Sequence, residues 1–219
     1  MKKYFLITWM VSFGFSLTIM SAFAADDFGI DVKAGSLGLG AELSKAFSDK
    51  LSLNLGFNSY NYKTTRSESG IDYDSKFELQ SVSFLANYHL FSGSFRVSAG
   101  ALYNNNELKL TGKPSAGSSY SINGVTYTAA QVGALTGTVT FNKTAPYVGV
   151  GWGNRPGSKL GLCADVGLLY QGSPKLALSA TGNAAGLATN LEQERKNAEA
   201  DLNNFKWYPV LSLGVYFRF

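Results

Sequence analysis

The stretch from Phe205 to Phe219 constrains this chain most. Its alternate residues read Phe205, Trp207, Pro209, Leu211, Leu213, Val215, Phe217 and Phe219, and the interleaved set reads Lys206, Tyr208, Val210, Ser212, Gly214, Tyr216 and Arg218. A period of two marks a β-strand with two different surroundings. One face is apolar throughout, and the other is small, mixed and polar. The same alternation recurs. Leu51, Leu53, Leu55 and Phe57 interleave with Ser52, Asn54, Gly56 and Asn58, and Phe95, Val97, Ala99 and Ala101 interleave with Arg96, Ser98, Gly100 and Leu102. The segments 82–90 and 160–171 repeat the pattern. A soluble strand would turn a charge-rich face to water, whereas these polar faces carry Gly, Ser and Asn. The composition predicts an all-β chain: a transmembrane antiparallel up-and-down β-barrel with lipid outside and the polar set in the lumen. Leu213, Val215, Phe217 and Phe219 match the pattern that barrel-assembly machinery reads at the end of outer-membrane strands.

The other end of the sequence agrees. Met1-Lys2-Lys3, an apolar run to about Met20 and Ala22-Phe23-Ala24 read as a cleavable secretory signal. Residues 1–24 are therefore expected to be removed, leaving 25–219 as one barrel domain, exported to the bacterial cell outer membrane. The 19 Lys+Arg and 15 Asp+Glu become 17 and 15 once Lys2 and Lys3 are discounted. That balance, without a basic block, argues against nucleic acid as a partner. A single cysteine, Cys163, cannot form an internal disulfide.

Connections alternate in length. Short ones fall at 48–50, 92–94 and 154–157, and longer ones at about 65–71, 113–135 and 181–204. Short turns belong on the periplasmic side and long loops outside. Parity then asks for eight strands, with Phe28–Gly35 and Leu37–Phe47 forming the first pair about a tight link near Gly35-Ser36. Tyr88, Phe91, Phe95, Trp152, Phe217 and Phe219 lie near short turns, and Tyr60, Tyr62, Tyr103, Tyr170, Trp207 and Tyr208 near long loops. Two bands of this kind fit the two bilayer interfaces. Within the loops, Tyr120–Tyr127 reads as a hairpin about Asn123-Gly124. Thr128–Gln131 reads as a capping box, and Thr189–Glu192 as a second one opening an amphipathic helix over 189–202.

Residues able to do chemistry are few. His89, the one histidine, sits at a short turn and faces the lumen, far from the outer rim where a lipid-modifying site belongs. Asp72 and Asp74 flank Tyr73 in a loop or strand end. No His/Cys/Asp/Glu cluster has metal-ligand spacing, and no glycine loop suggests a phosphate site. The expectation is a non-enzymatic chain without cofactors. Glu42, Arg96, Asp165 and Arg218 turn inward by parity, where charges must pair or meet water. They serve either as a polar plug or as the lining of a narrow solute path.

Several stretches are family-like: Gly56-Phe57-Asn58 with Tyr60-Asn61-Tyr62; Gly70–Asp74; Thr126–Gly133; Gly149-Val150-Gly151-Trp152-Gly153-Asn154; Gln171–Lys175; and Phe205–Val210. Together they resemble an uncharacterised family of proteobacterial outer-membrane β-barrel proteins, similar in architecture to small OmpA-type and OmpW-type barrels. The resemblance implies a barrel in contact with outer-membrane lipids and carries no catalytic or binding residues. The sequence names no extracellular ligand. Two functions fit it: a closed structural or surface-interaction barrel, or a small porin-like channel or transporter for small solutes.

Overall fold

A computed structural model describes residues 28–68, 71–115 and 117–219. The secretory segment predicted at 1–24 lies outside the described residues.

Eight strands close a ring. They are β1 (Phe28–Gly35), β2 (Gly38–Ala46), β3 (Leu51–Glu68), β4 (Ile71–His89), β5 (Phe95–Asn104), β10 (Thr144–Trp152), β11 (Leu160–Tyr170) and β13 (Trp207–Arg218). Each pairs antiparallel with the next in this order, and β13 returns to β1. Closure leaves no free strand edge at this level. The first hairpin turns in two residues, Ser36-Leu37, with Gly35 opposite Gly38. Gly38 takes φ 101°, which a side chain would disfavour.

Among the described residues, five ring strands continue beyond the ring at its long-loop end. β3 and β4 run on as one hairpin of 18 and 19 residues, separated only by positions 69–70. The loop expected at 65–71 is therefore mostly strand, and Asp72 and Asp74 lie in a ladder. β5, β10 and β11 break at 105–106, 141–143 and 171–174 and resume as β6 (Glu107–Pro114), β9 (Leu135–Thr140) and β12 (Lys175–Ala180). The upper sheet has the order β3-β4-β6-β9-β12. β13, β1 and β2 have no such extension. The wall is tall on five strands and low on three.

A cap closes over the tall side. β7 (Ser119–Ile122) and β8 (Val125–Thr128) form the hairpin expected there, and Asn123 and Gly124 take φ 50° and 75° at its turn. A single helical turn, α1 (Ala129–Val132), follows, and the Thr128 N–H donates to Gln131 Oε1 at 2.8 Å. α2 runs from Leu187 to Leu202. It begins two residues before the predicted capping box, after Gly186 at φ 76°. Burial of Leu187 beside Leu191, Tyr127 and Val132 fixes that start and overrides the Thr189 cap.

Polarity inverts along the tall strands. Within the ring, Phe57, Val82 and Tyr103 lie opposite one another on the outer face, and Asn58, Ser81 and Asn104 on the inner face. One step higher the outer row is Ser59–Gln80, and the next is Asn61–Glu78–Glu107. Meanwhile Tyr62, Phe77 and Leu108 occupy the inner face. The outer face changes from apolar to polar just above Phe57, and the inner face from polar to apolar. Tyr60 and Tyr62, read from sequence as belt residues, face inward for this reason. Tyr208 also leaves the belt: its hydroxyl donates to the Ser36 carbonyl at 2.6 Å. Tyr103, Tyr170 and Trp207 remain exposed on the outer face, with Tyr88, Phe95, Trp152 and Phe217 at the opposite end. Lys45, also outward, lies 4.9 Å from the Phe28 ring centroid. Its stem covers apolar wall while its ammonium stays at the rim.

Candidate functional site

The interior is layered. Three cations, Lys33, Arg96 and Arg218, and three acids, Asp31, Glu42 and Asp165, project into it. Alternation places each there, because its neighbours in sequence face outward. In the middle layer, Lys33 Nζ donates to both Glu42 oxygens at 3.1 Å and to Asp165 Oδ2 at 3.0 Å. Arg96 donates to Asp165 Oδ1 and, at 2.7 Å, to the Gly153 carbonyl. Asn54 donates to Glu42, and the Ser212 hydroxyl to Asp165 Oδ2 at 3.2 Å. One connected network thus ties β1, β2, β3, β5, β11 and β13 across the interior.

A second group lies nearer the short turns. Asn154 Nδ2 donates to Asp31 at 2.6 Å, and Arg218 donates to Asn154 Oδ1 at 2.8 and 3.1 Å and to its carbonyl at 3.2 Å. Asn154 can reach inward because it takes φ 49° in its turn. His89 is fully buried, and its Nε2 lies 3.5 Å from the Ser52 hydroxyl.

On the long-loop side of the ions lies an apolar layer of Leu37, Leu102, Ala145, Tyr147, Leu169 and Val210. Glycines give its aromatic ring room, since a Cβ at Gly149 or Gly167 would collide with Tyr147. Between the ionic and apolar layers is a cavity of about 50 Å³, bordered by Lys33, Glu42, Asn87, Arg96, Leu102 and Tyr147. It has room for a few water molecules and not for a metabolite. Inside a barrel this narrow, side chains fill the cross-section.

Glu42, Arg96 and Asp165, identified from sequence, meet in one network, and Arg218 belongs to the second. Lys33 and Asp31 join them from β1, where Phe28, Ile30, Val32 and Ala34 alternate with Gly29, Asp31, Lys33 and Gly35. Pairing of β1 with β13 agrees with that phase, with Val32 opposite Val215 on the outer face. Asn154 belongs by sequence to a short turn, and no alternation marks it as inward. Leu213, Val215 and Phe217 are exposed on the outer wall, as alternation required. Cys163 is buried in the interior.

The cap offers a second candidate surface. A groove of about 510 Å³ runs between β12 and α2, lined by Leu178, Ala180, Ala184, Leu187 and Leu191 and rimmed by Glu192 and Arg195. Glu199 accepts from the Leu176 N–H at 2.8 Å and so covers part of the free edge of β12. That bond is the main cause holding its carboxyl below the ordinary range. Arg195, bonded to Glu192 at 2.8 Å, likewise brings the Glu192 carboxyl down to about 2.

No family profile matches the chain, and no curated protein matches it. Solved structures do. CarO2 of Acinetobacter baumannii aligns with a TM-score of 0.61 at 24% identity, covering 90% of this chain and all of that one. CarO of the same organism gives 0.59 at 24% identity, over 88% of this chain and 98% of that one. With the closed ring and its inverted faces, the likeness establishes the fold as that of the outer-membrane β-barrels.

Proposed function

We propose that this chain is an integral protein of the bacterial outer membrane, a closed and non-enzymatic barrel that holds a folded cap at the cell surface. The short turns then lie in the periplasm and the cap outside. One observation carries the reading: the interior is crossed by the Lys33–Glu42–Asp165–Arg96 network and roofed by an apolar layer. Buried ions held by several partners do not part without cost, and an apolar layer opposes passage of a hydrated solute. What argues against catalysis is the setting of His89, sealed in the periplasmic half opposite Arg96, with the Ser52 hydroxyl 3.5 Å away. The groove beside α2 favours the cap as the interacting part.

Planar-bilayer recording of the refolded chain tests this reading, with heat-modifiable gel mobility establishing that the barrel has formed. A silent bilayer is the expected result. Discrete conductance steps that change in a Glu42→Gln/Arg96→Gln variant would replace the closed barrel with a charge-lined channel.

A further inference from the structure

The outer face of the tall wall carries charge in bands. Lys63 pairs with Lys76 and Lys76 with Lys109, so three lysines stand side by side on adjacent strands. The row beneath sets Glu78 against Glu107. Directly opposed like charges weaken a sheet, and alternating signs across the strands would relieve them. Lys76 bonds Glu78 at 2.7 Å. Among the described residues, neither Lys63 nor Lys109 has an ion-pair partner, and both are exposed.

Height above the membrane gives this row its meaning. Phe57 is the last lipid-facing residue of β3, and Lys63 lies six residues beyond it. At about 3.3 Å per residue that is roughly 20 Å along the strand, or about 15 Å above the apolar wall at the usual barrel tilt. Phospholipid headgroups reach only about 5–7 Å beyond the hydrocarbon. Glycolipids carrying phosphate on their sugars reach higher.

We infer that Lys63, Lys76 and Lys109 form a docking surface for the phosphorylated sugar headgroups of outer-leaflet glycolipid surrounding the barrel. This rests on the outer-membrane reading above. Lys76 is already met by Glu78, but Lys63 and Lys109 on either side of it keep charge that an anion lying across the row would neutralise, and phosphate is a strong acceptor for lysine. The surface continues the lipid-facing wall directly upward, so a lipid packed against Phe57 and Val82 brings its headgroup past this row.

The test compares full-length wild type with Lys63→Gln/Lys76→Gln/Lys109→Gln, both refolded and checked for heat-modifiable mobility. Labelled lipopolysaccharide with a phosphorylated core is titrated onto each. The triple variant should bind roughly 10- to 100-fold more weakly, from about a tenfold or smaller loss per lysine near an anionic surface. Dephosphorylated lipopolysaccharide should bind both alike. Lys→Arg replacements at the three positions should retain binding, and so should Lys196→Gln on the cap. Equal binding by the wild type and the triple variant overturns the inference. So does displacement by phosphatidylglycerol vesicles or inorganic phosphate at equal phosphate concentration, because the source would then not be the glycolipid. Failure of the wild type to gain heat-modifiable mobility in lipid would remove the membrane reading, and this inference with it.

Discussion

Lys33 on β1 and Asp165 on β11 are separated by 132 positions and by the whole of β13, yet their charged atoms lie 3.0 Å apart. They meet because β13 lies between their strands and presents Gly214 opposite both Lys33 and Cys163. A side chain at Gly214 would strike the β1 backbone and the Lys33 stem. Lys33 also holds Glu42, so one ammonium satisfies two buried carboxylates. Replacing Lys33 with Met should cost about 3–5 kcal/mol, the range for leaving buried charge without its partner. Urea unfolding from lipid vesicles reads this loss. The Lys33→Met/Glu42→Gln double variant should lose less than the sum of the two single changes. Additive losses would mean the groups act separately.

Space inside the ring is equally specified. Gly167→Ala places a methyl group against the Tyr147 ring and should destabilise by about 1–3 kcal/mol. Shrinking the ring with Tyr147→Ala should remove most of that penalty in the double variant. If Gly167→Ala costs the same in both backgrounds, the collision is with backbone instead.

The height of the membrane can be located by arginine substitution. Phe84→Arg places a charge on the lipid-facing wall and should cost about 2–4 kcal/mol near the bilayer centre. Gln80→Arg, two rows higher on the same face of β4, should cost no more than about 1 kcal/mol. Equal costs would mean that the change from Val82 to Gln80 does not mark the interface.

Acid should loosen α2 before it affects the barrel. The Glu192 and Glu199 carboxyls are both lowered in the folded protein, by Arg195 and by the Leu176 N–H respectively. A lowered carboxyl adds stability above its unfolded value near 4.5, and that stability fades as pH falls toward the folded value. For Glu192 the window runs from about 4.5 down to about 2. Protection over 187–202, taken relative to the intrinsic exchange rate at each pH, should therefore fall below pH 4.5, while the ring amides stay protected. Glu199→Gln should show faster exchange at Leu176 already at pH 7. An unchanged rate there would remove the carboxylate from its place on the strand edge.

Much of this arrangement could be read from the sequence because a period of two is hard to disguise. Each inward charge on a clearly alternating strand, Glu42, Arg96, Asp165 and Arg218, was assigned by parity alone. Lys33 and Asp31 sit on a strand that alternates too, Phe28, Ile30, Val32 and Ala34 against Gly29, Asp31, Lys33 and Gly35, so parity reaches them, and the pairing of Val32 with Val215 fixes the same side. The reading fails where phase comes from elsewhere. Asn154 reaches inward through a left-handed turn that no period describes. The inversion above Phe57 leaves no mark in the spacing, because the period persists through it. What changes is which face is apolar, and Tyr60 and Tyr62 look the same in sequence whichever way the solvent lies. The helix start moved for a similar reason, because burial of Leu187 outweighed a local capping preference.

The three low strands of the wall, β13, β1 and β2, have a consequence for how the molecule is put together. β1 and β13 are the first and last strands of the ring, and their mutual pairing is the final seam. Every cap-bearing extension stands away from that seam, on β3, β4, β5, β10 and β11. Zipping the seam therefore engages the β1–β13 ladder and the side chains beside it, such as Ser36 and Tyr208, without the extensions. The surface portion can still be unstructured when the cylinder shuts, and can take shape afterwards in water without reopening it.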